Sequence, residues 1–168
     1  MKNLLTLLFI TFSINVFSQT KVVCTEVKKD TVLTKTCVYK NTKIVETCDL
    51  VGKDAEPTGC SSAFFMKKGR KYVTVDNCEI FNEKQDSLLI LINNQIKEVY
   101  KDKSTTKGGK ICFANHPPLK PYGMKNLEIS FSEDKVIFKA YFDLSESCKA
   151  MNTVEVVISM NDIEKYLK

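Results

Sequence analysis

The sequence predicts an α+β fold: antiparallel β-sheet, one main amphipathic helix packed on it, and a short C-terminal helix. Three observations point there. Residues 82–102, NEKQDSLLILINNQIKEVYKD, repeat apolar side chains at helical spacing. Residues 127–142 alternate apolar and polar side chains with the period of two of a half-buried strand. Residues 22–51 form short runs rich in Thr, Val and Ile between turn-forming pairs, the composition of an antiparallel meander.

Taken in order, the chain begins with a predicted secretory signal peptide over residues 1–18. Lys2 supplies the positive start, residues 4–17 the apolar stretch, and Val16 and Ser18 the −3 and −1 positions of a cleavage site. That stretch is interrupted by Thr6, Thr11, Ser13 and Asn15 and falls short of the ~20 apolar residues a bilayer span takes. No later segment replaces it, so no transmembrane segment is expected after cleavage. Lys21, Val22 and Val23 do not resemble a lipoprotein cleavage site before Cys24, which favours a periplasmic or secreted chain starting near Gln19 over a lipoprotein. Removing 18 of 168 residues leaves 150, the usual size of one domain. Its predicted parts are a Cys-rich β-meander over 22–78, the helix over 82–102, and a C-terminal β part over 110–168.

The meander reads as VVCTEV, TVLTKTCVY and KIVETCDLV, with Lys29-Asp30 and Asn41-Thr42 as turns. Each strand carries a cysteine in a similar setting. Cysteines on neighbouring antiparallel strands sit close enough to bridge, so Cys24, Cys37, Cys48, Cys60, Cys78, Cys112 and Cys148 are all disulfide candidates. Seven is odd, so at least one stays free or pairs with another chain. No C-x-x-C pair exists, which argues against a metal site or a redox dithiol, and no cofactor is predicted.

Residues 53–59, with Asp54, Pro57 and Gly59, read as a loop; SSAFFMK and KYVTV then flank a hairpin turn at Lys68-Gly69. In the helix, Asn82 and Gln85 fit a capping box. Leu88, Leu89, Ile92, Ile96, Val99 and Tyr100 fall within one arc of about 120°, with Ile90 and Leu91 off it. Residues 103–125 read as a long loop interrupted by a short strand KICFA, and long loops on a rigid scaffold are disproportionately functional. Stiffened by Pro117, Pro118 and Pro121, this loop offers His116, Lys120 and Tyr122 as candidate binding residues. Two strands about a turn at 132–134 follow, then TVEVVIS, and Ser159 with Asp162 opens a last helical turn ending at Tyr166-Leu167.

The order ISFSEDKVIFKAYFDL, polar loop, VEVVIS and DIEKYL resembles the C-terminal end of an extracytoplasmic domain of unknown function found in secreted bacterial envelope proteins. Those proteins include a lysozyme-binding anti-sigma factor and a peptidoglycan deacetylase. LINNQIKEV is similar in kind to that family's Asn-containing helix. The resemblance covers residues 126–168 and implies a noncatalytic envelope module with a helix packed on an antiparallel sheet. The chain departs from it over residues 144–150, where Cys148 stands in place of the family's aromatic-Pro and Gly positions.

Charge and chemistry narrow the function. The formal charge of +5 becomes +4 once Lys2 is removed, a mild bias toward anionic partners such as cell-wall polymers. Of 25 basic residues only Arg70 is arginine, so no nucleic-acid partner is expected. No Gly-rich phosphate loop, serine elbow or haem-attachment motif occurs, and no catalytic residue is assigned. The expectation is therefore an exported, noncatalytic envelope protein that binds another envelope protein or an anionic polymer. The alternative is a small secreted hydrolase using His116 with a free cysteine, since a bridged sulfur cannot act as a nucleophile.

Overall fold

The computed structural model describes residues 21–52 and 56–168; the signal peptide predicted over 1–18 and residues 53–55 of the predicted loop lie outside them. Strands β1 (Val23–Lys29), β2 (Val32–Tyr39), β3 (Thr42–Val51), β4 (Glu56–Lys68) and β5 (Lys71–Val75) pair antiparallel in sequence order as a five-stranded meander. The first three are the strands expected from the sequence. Three hairpin turns open on a residue with positive φ, namely Asp30 (53°), Lys40 (50°) and Gly69 (63°), and only the glycine adopts it without crowding a Cβ. Strand β4 begins earlier than the sequence suggests. Residues 56–58, predicted as loop, pair with residues 49–51 across a bulge at Thr47/Asp49.

The cysteine pattern resolves into three disulfides. Cys24–Cys37 joins directly opposed residues of β1 and β2, and Cys48–Cys60 crosses β3 and β4 beside the bulge. Cys112–Cys148 links more distant segments, and Cys78 is free. Three disulfides fit an oxidising compartment.

A second sheet holds β6 (Glu128–Phe131), β7 (Lys135–Tyr141) and β8 (Thr153–Ser159). Its alternation sends Ile129, Phe131, Val136, Phe138, Ala140, Val154, Val156 and Ile158 to one buried face. Helix α1 (Gln85–Thr105) lies there with Leu88, Ile92 and Ile96 at 0–1 % exposure, while Ile90 and Leu91, off the apolar arc, are exposed. The α+β class is as predicted, with the helix serving the C-terminal sheet. At the helix start, Asn82 does not close a capping box with Gln85. Its Oδ1 accepts from the Lys84 N–H at 2.9 Å and its Nδ2 donates to the carbonyls of Lys165 and Leu167.

After α1 the expected loop is shorter and more ordered than the sequence suggests. Residues Lys107–Cys112 form a helix, α2, instead of part of a strand, capped by the Thr106 hydroxyl accepting from the Gly109 N–H at 2.9 Å. Its glycines lower helix propensity but permit close packing. A Cβ on Gly109 would overlap the Lys103 carbonyl, and one on Gly108 would sit 2.8 Å from Met151 Cε. The predicted C-terminal helix is α3 (Met160–Ile163), opened by Ser159 Oγ accepting from the Asp162 N–H.

One continuous core joins both sheets, running from Cys37, Tyr39, Ile44 and Phe64 through Phe81 to Phe138, Ile163 and Leu167. The C-terminal residues fasten across its middle: Phe81 bridges Leu167, the Asn82 N–H donates to Tyr166 O, and the Lys168 N–H donates to Ile80 O. Tyr39 Oη also donates to Glu164 Oε1 at 2.6 Å, with Lys40 Nζ 3.5 Å from the same carboxylate. The Tyr39 hydroxyl, and secondarily the Lys40 charge, hold the Glu164 carboxyl below its ordinary range. Because the folded value is depressed, this contribution is present above about pH 4.3 and is lost as pH falls through the folded value. Tyr39→Phe is expected to move the Glu164 midpoint back up, read by carboxyl carbon NMR titration; an unmoved midpoint would refute this coupling.

Candidate functional site

Strand β7 presents two faces with different fates. Val136, Phe138 and Ala140 face α1, while Ile137, Lys139 and Tyr141 point to the side that α1 does not cover. Part of that uncovered side, together with β3, β4 and the end of β5, encloses a groove of about 920 Å³. This lies within the 300–1,000 Å³ range common to ligand sites. Residues 60–64 of β4 line it consecutively, and so do residues 127–130 leading through β6. Side chains alternate along a strand, so a consecutive run means that both strands turn an edge toward the groove. Asn77 closes one end by donating from Nδ2 to the carbonyls of Met124 and Leu127, both at 3.0 Å.

The lining mixes apolar and charged groups. Ala63, Phe64, Val75 and Ile137 supply apolar surface. Glu46, Asp76, Glu128 and Glu155 face only Lys125 and Lys139 as cations. Lys125 pairs with Asp76 at 2.6 Å, and Lys139 sits 3.9 Å from Glu155. Glu46 and Glu128 are held by hydroxyls instead: Ser130 Oγ donates to Glu46 at 3.3 Å and Tyr141 Oη to Glu128 at 2.8 Å. Partial burial, and then the Glu128 carboxylate, push the Tyr141 hydroxyl up to about 12, so it remains a neutral donor at physiological pH. Glu46 also approaches Cys48 and Cys60 within 4.8 Å, but those sulfurs are bonded to each other and offer no thiolate to a metal.

The three residues singled out in the sequence lie outside this groove. His116 sits in an aromatic cluster with Tyr100, Phe113 and Phe142, its Nε2 at 2.5 Å from Phe142 O and its Nδ1 at 3.3 Å from Tyr100 Oη. Tyr122 donates from its hydroxyl to Tyr141 O, and its N–H donates to Asn93 Oδ1. Both therefore anchor the segment 113–123 to the end of β7, while Lys120 between them is exposed. Tyr141 links this segment to the groove, taking Tyr122 on its carbonyl and reaching Glu128 with its hydroxyl. The groove residues went unnoticed in the sequence, where one signal was present: Ile137 and Tyr141 occupy the phase of β7 that a solvent-facing strand gives to polar residues. No protein-family model matches the chain, and no curated protein or solved structure matches it.

Proposed function

We propose that the chain is an exported, noncatalytic binding protein of the bacterial envelope that takes its ligand in the groove between the two sheets. The observation that carries this is the groove itself, a concave site with an apolar floor and polar groups held in place by the fold. A thiol hydrolase is less well supported. Both ring nitrogens of His116 are engaged and six cysteines are bridged, leaving Cys78, on the turn after β5, as the only free thiol among the described residues.

Amide-shift mapping of the ¹⁵N-labelled, oxidised chain tests the reading with three probes: soluble muropeptides, a glycerol-phosphate oligomer and a pool of hexapeptides. Saturable shifts at Ser62, Glu128 and Ile137 with one of them are expected. Saturable shifts confined to residues 113–123 would move the site to the loop bearing His116, Lys120 and Tyr122. No saturable shift with any probe would remove the reading.

A further inference from the structure

Strand β4 is longer than its partner on one side. β3 runs beside most of its thirteen residues, whereas β5 pairs only with Phe64–Lys68. Beyond Val75 the chain turns away at Asp76, and Asn77 is tied to Met124 and Leu127, so β5 cannot continue along β4. Among the described residues, the edge of β4 over 56–63 therefore has no strand beside it. Natural sheets guard such edges with prolines, bulges or charges. Pro57, the bulge and Gly59 at φ 56° guard the first half of this one. Residues 60–63, Cys-Ser-Ser-Ala, carry no such device, and their small side chains allow another backbone to approach. Among the described residues, their main-chain groups bond to nothing outside the β3 ladder.

The opposite wall is less available. On β6 and its approach, Leu127 O already accepts from Asn77, and Cys37 Sγ packs 3.4 Å from Phe131 O. An added strand would pair with β4 alone. Its side chains on one face would meet Phe64 and Ile137, and the carboxylates of Glu46 and Glu128, which among the described residues pair with no lysine, would favour a cation. This local acidity stands out on a chain whose formal charge is +5.

From this we infer that the groove binds an extended peptide bearing lysine or arginine, added as a strand to β4 at residues 60–63. The inference rests on the groove reading above and deepens it by naming the ligand class. The test is fluorescence anisotropy with a labelled hexapeptide, TKVKVT, and the intact oxidised chain. Two further versions carry N-methyl groups at residues 2 and 4, or at 3 and 5, and a fourth is the acidic TEVEVT. A strand paired on one edge uses alternate amides, so one N-methylated version is expected to lose tenfold or more in affinity and the other little. TEVEVT should bind at least tenfold more weakly than TKVKVT. Glu46→Gln combined with Glu128→Gln should weaken TKVKVT tenfold and flatten its salt dependence, with circular dichroism confirming the fold. Equal affinity of both N-methylated peptides and the parent would overturn strand addition. Failure of every peptide while muropeptides or the glycerol-phosphate oligomer still map to the groove would also overturn it, leaving the groove reading intact. Failure of all probes there would overturn both.

Discussion

Replacing Phe138 by alanine is expected to destabilise the fold by about 3–5 kcal/mol, the usual cost of removing a fully buried aromatic ring. Phe138 is at 0 % exposure, its ring centroid is 6.1 Å from that of Phe81, and it sits on the sheet face that α1 covers. The cavity would open where helix, sheet and the Phe81–Leu167 bridge meet, so neighbouring groups have little freedom to collapse into it. Ile92→Ala, on the facing side of α1, is expected to cost about 2–5 kcal/mol. Asn94→Ala and Lys97→Ala, on exposed positions of the same helix, should stay within about 0.5 kcal/mol. Urea midpoints at constant m-value read the difference. Equal losses on the two helix faces would overturn the packing described.

The second large effect is expected from the Cys112–Cys148 disulfide. Loop-closure entropy in the unfolded chain grows with the span that is bridged: 36 residues here, against 13 for Cys24–Cys37 and 12 for Cys48–Cys60. The chain-entropy relation gives about 4 kcal/mol for the long bridge and about 3 kcal/mol for each short one. The short pair Cys24–Cys37 also has help, because β1 and β2 remain paired along seven residues without it. The long pair holds α2 against the turn Glu146–Met151, and among the described residues no hydrogen bond joins the two. The double variant Cys112→Ala with Cys148→Ala should therefore lose more stability than Cys24→Ala with Cys37→Ala. The reverse order in matched urea unfolding would refute this account.

Strong periodicity made most of the fold readable. Ile129, Phe131, Val136, Phe138 and Ala140 alternate because each must reach the same helix, and Leu88, Ile92 and Ile96 recur at helical spacing for the reciprocal reason. What could not be read depends on contacts between distant segments. Gly108 and Gly109 argue locally against a helix, yet they are what lets α2 lie so close to Lys103 and Met151. Asn82 looked like a cap because its partners at Lys165 and Leu167 are invisible in local sequence. The groove was hidden for a related reason. It draws Glu46, Ser62, Ile137 and Glu155 from four strands, and only the pairing registers and the early end of β5 bring them together.

The clasp between residues 80–82 and 166–168 also sets a schedule. Asn82 and Leu167 are 85 positions apart, whereas the two disulfides of the meander each close within 13. A chain that emerges from a ribosome or a translocation pore N-terminus first exposes every partner in the meander long before it exposes the clasp. The first sheet has all its hairpin contacts to hand while the second is still being delivered, and the apolar face of α1 must wait for β8 to arrive. During that interval Leu88, Ile92 and Ile96 face water, and this half of the molecule depends most on whatever shields nascent apolar surface.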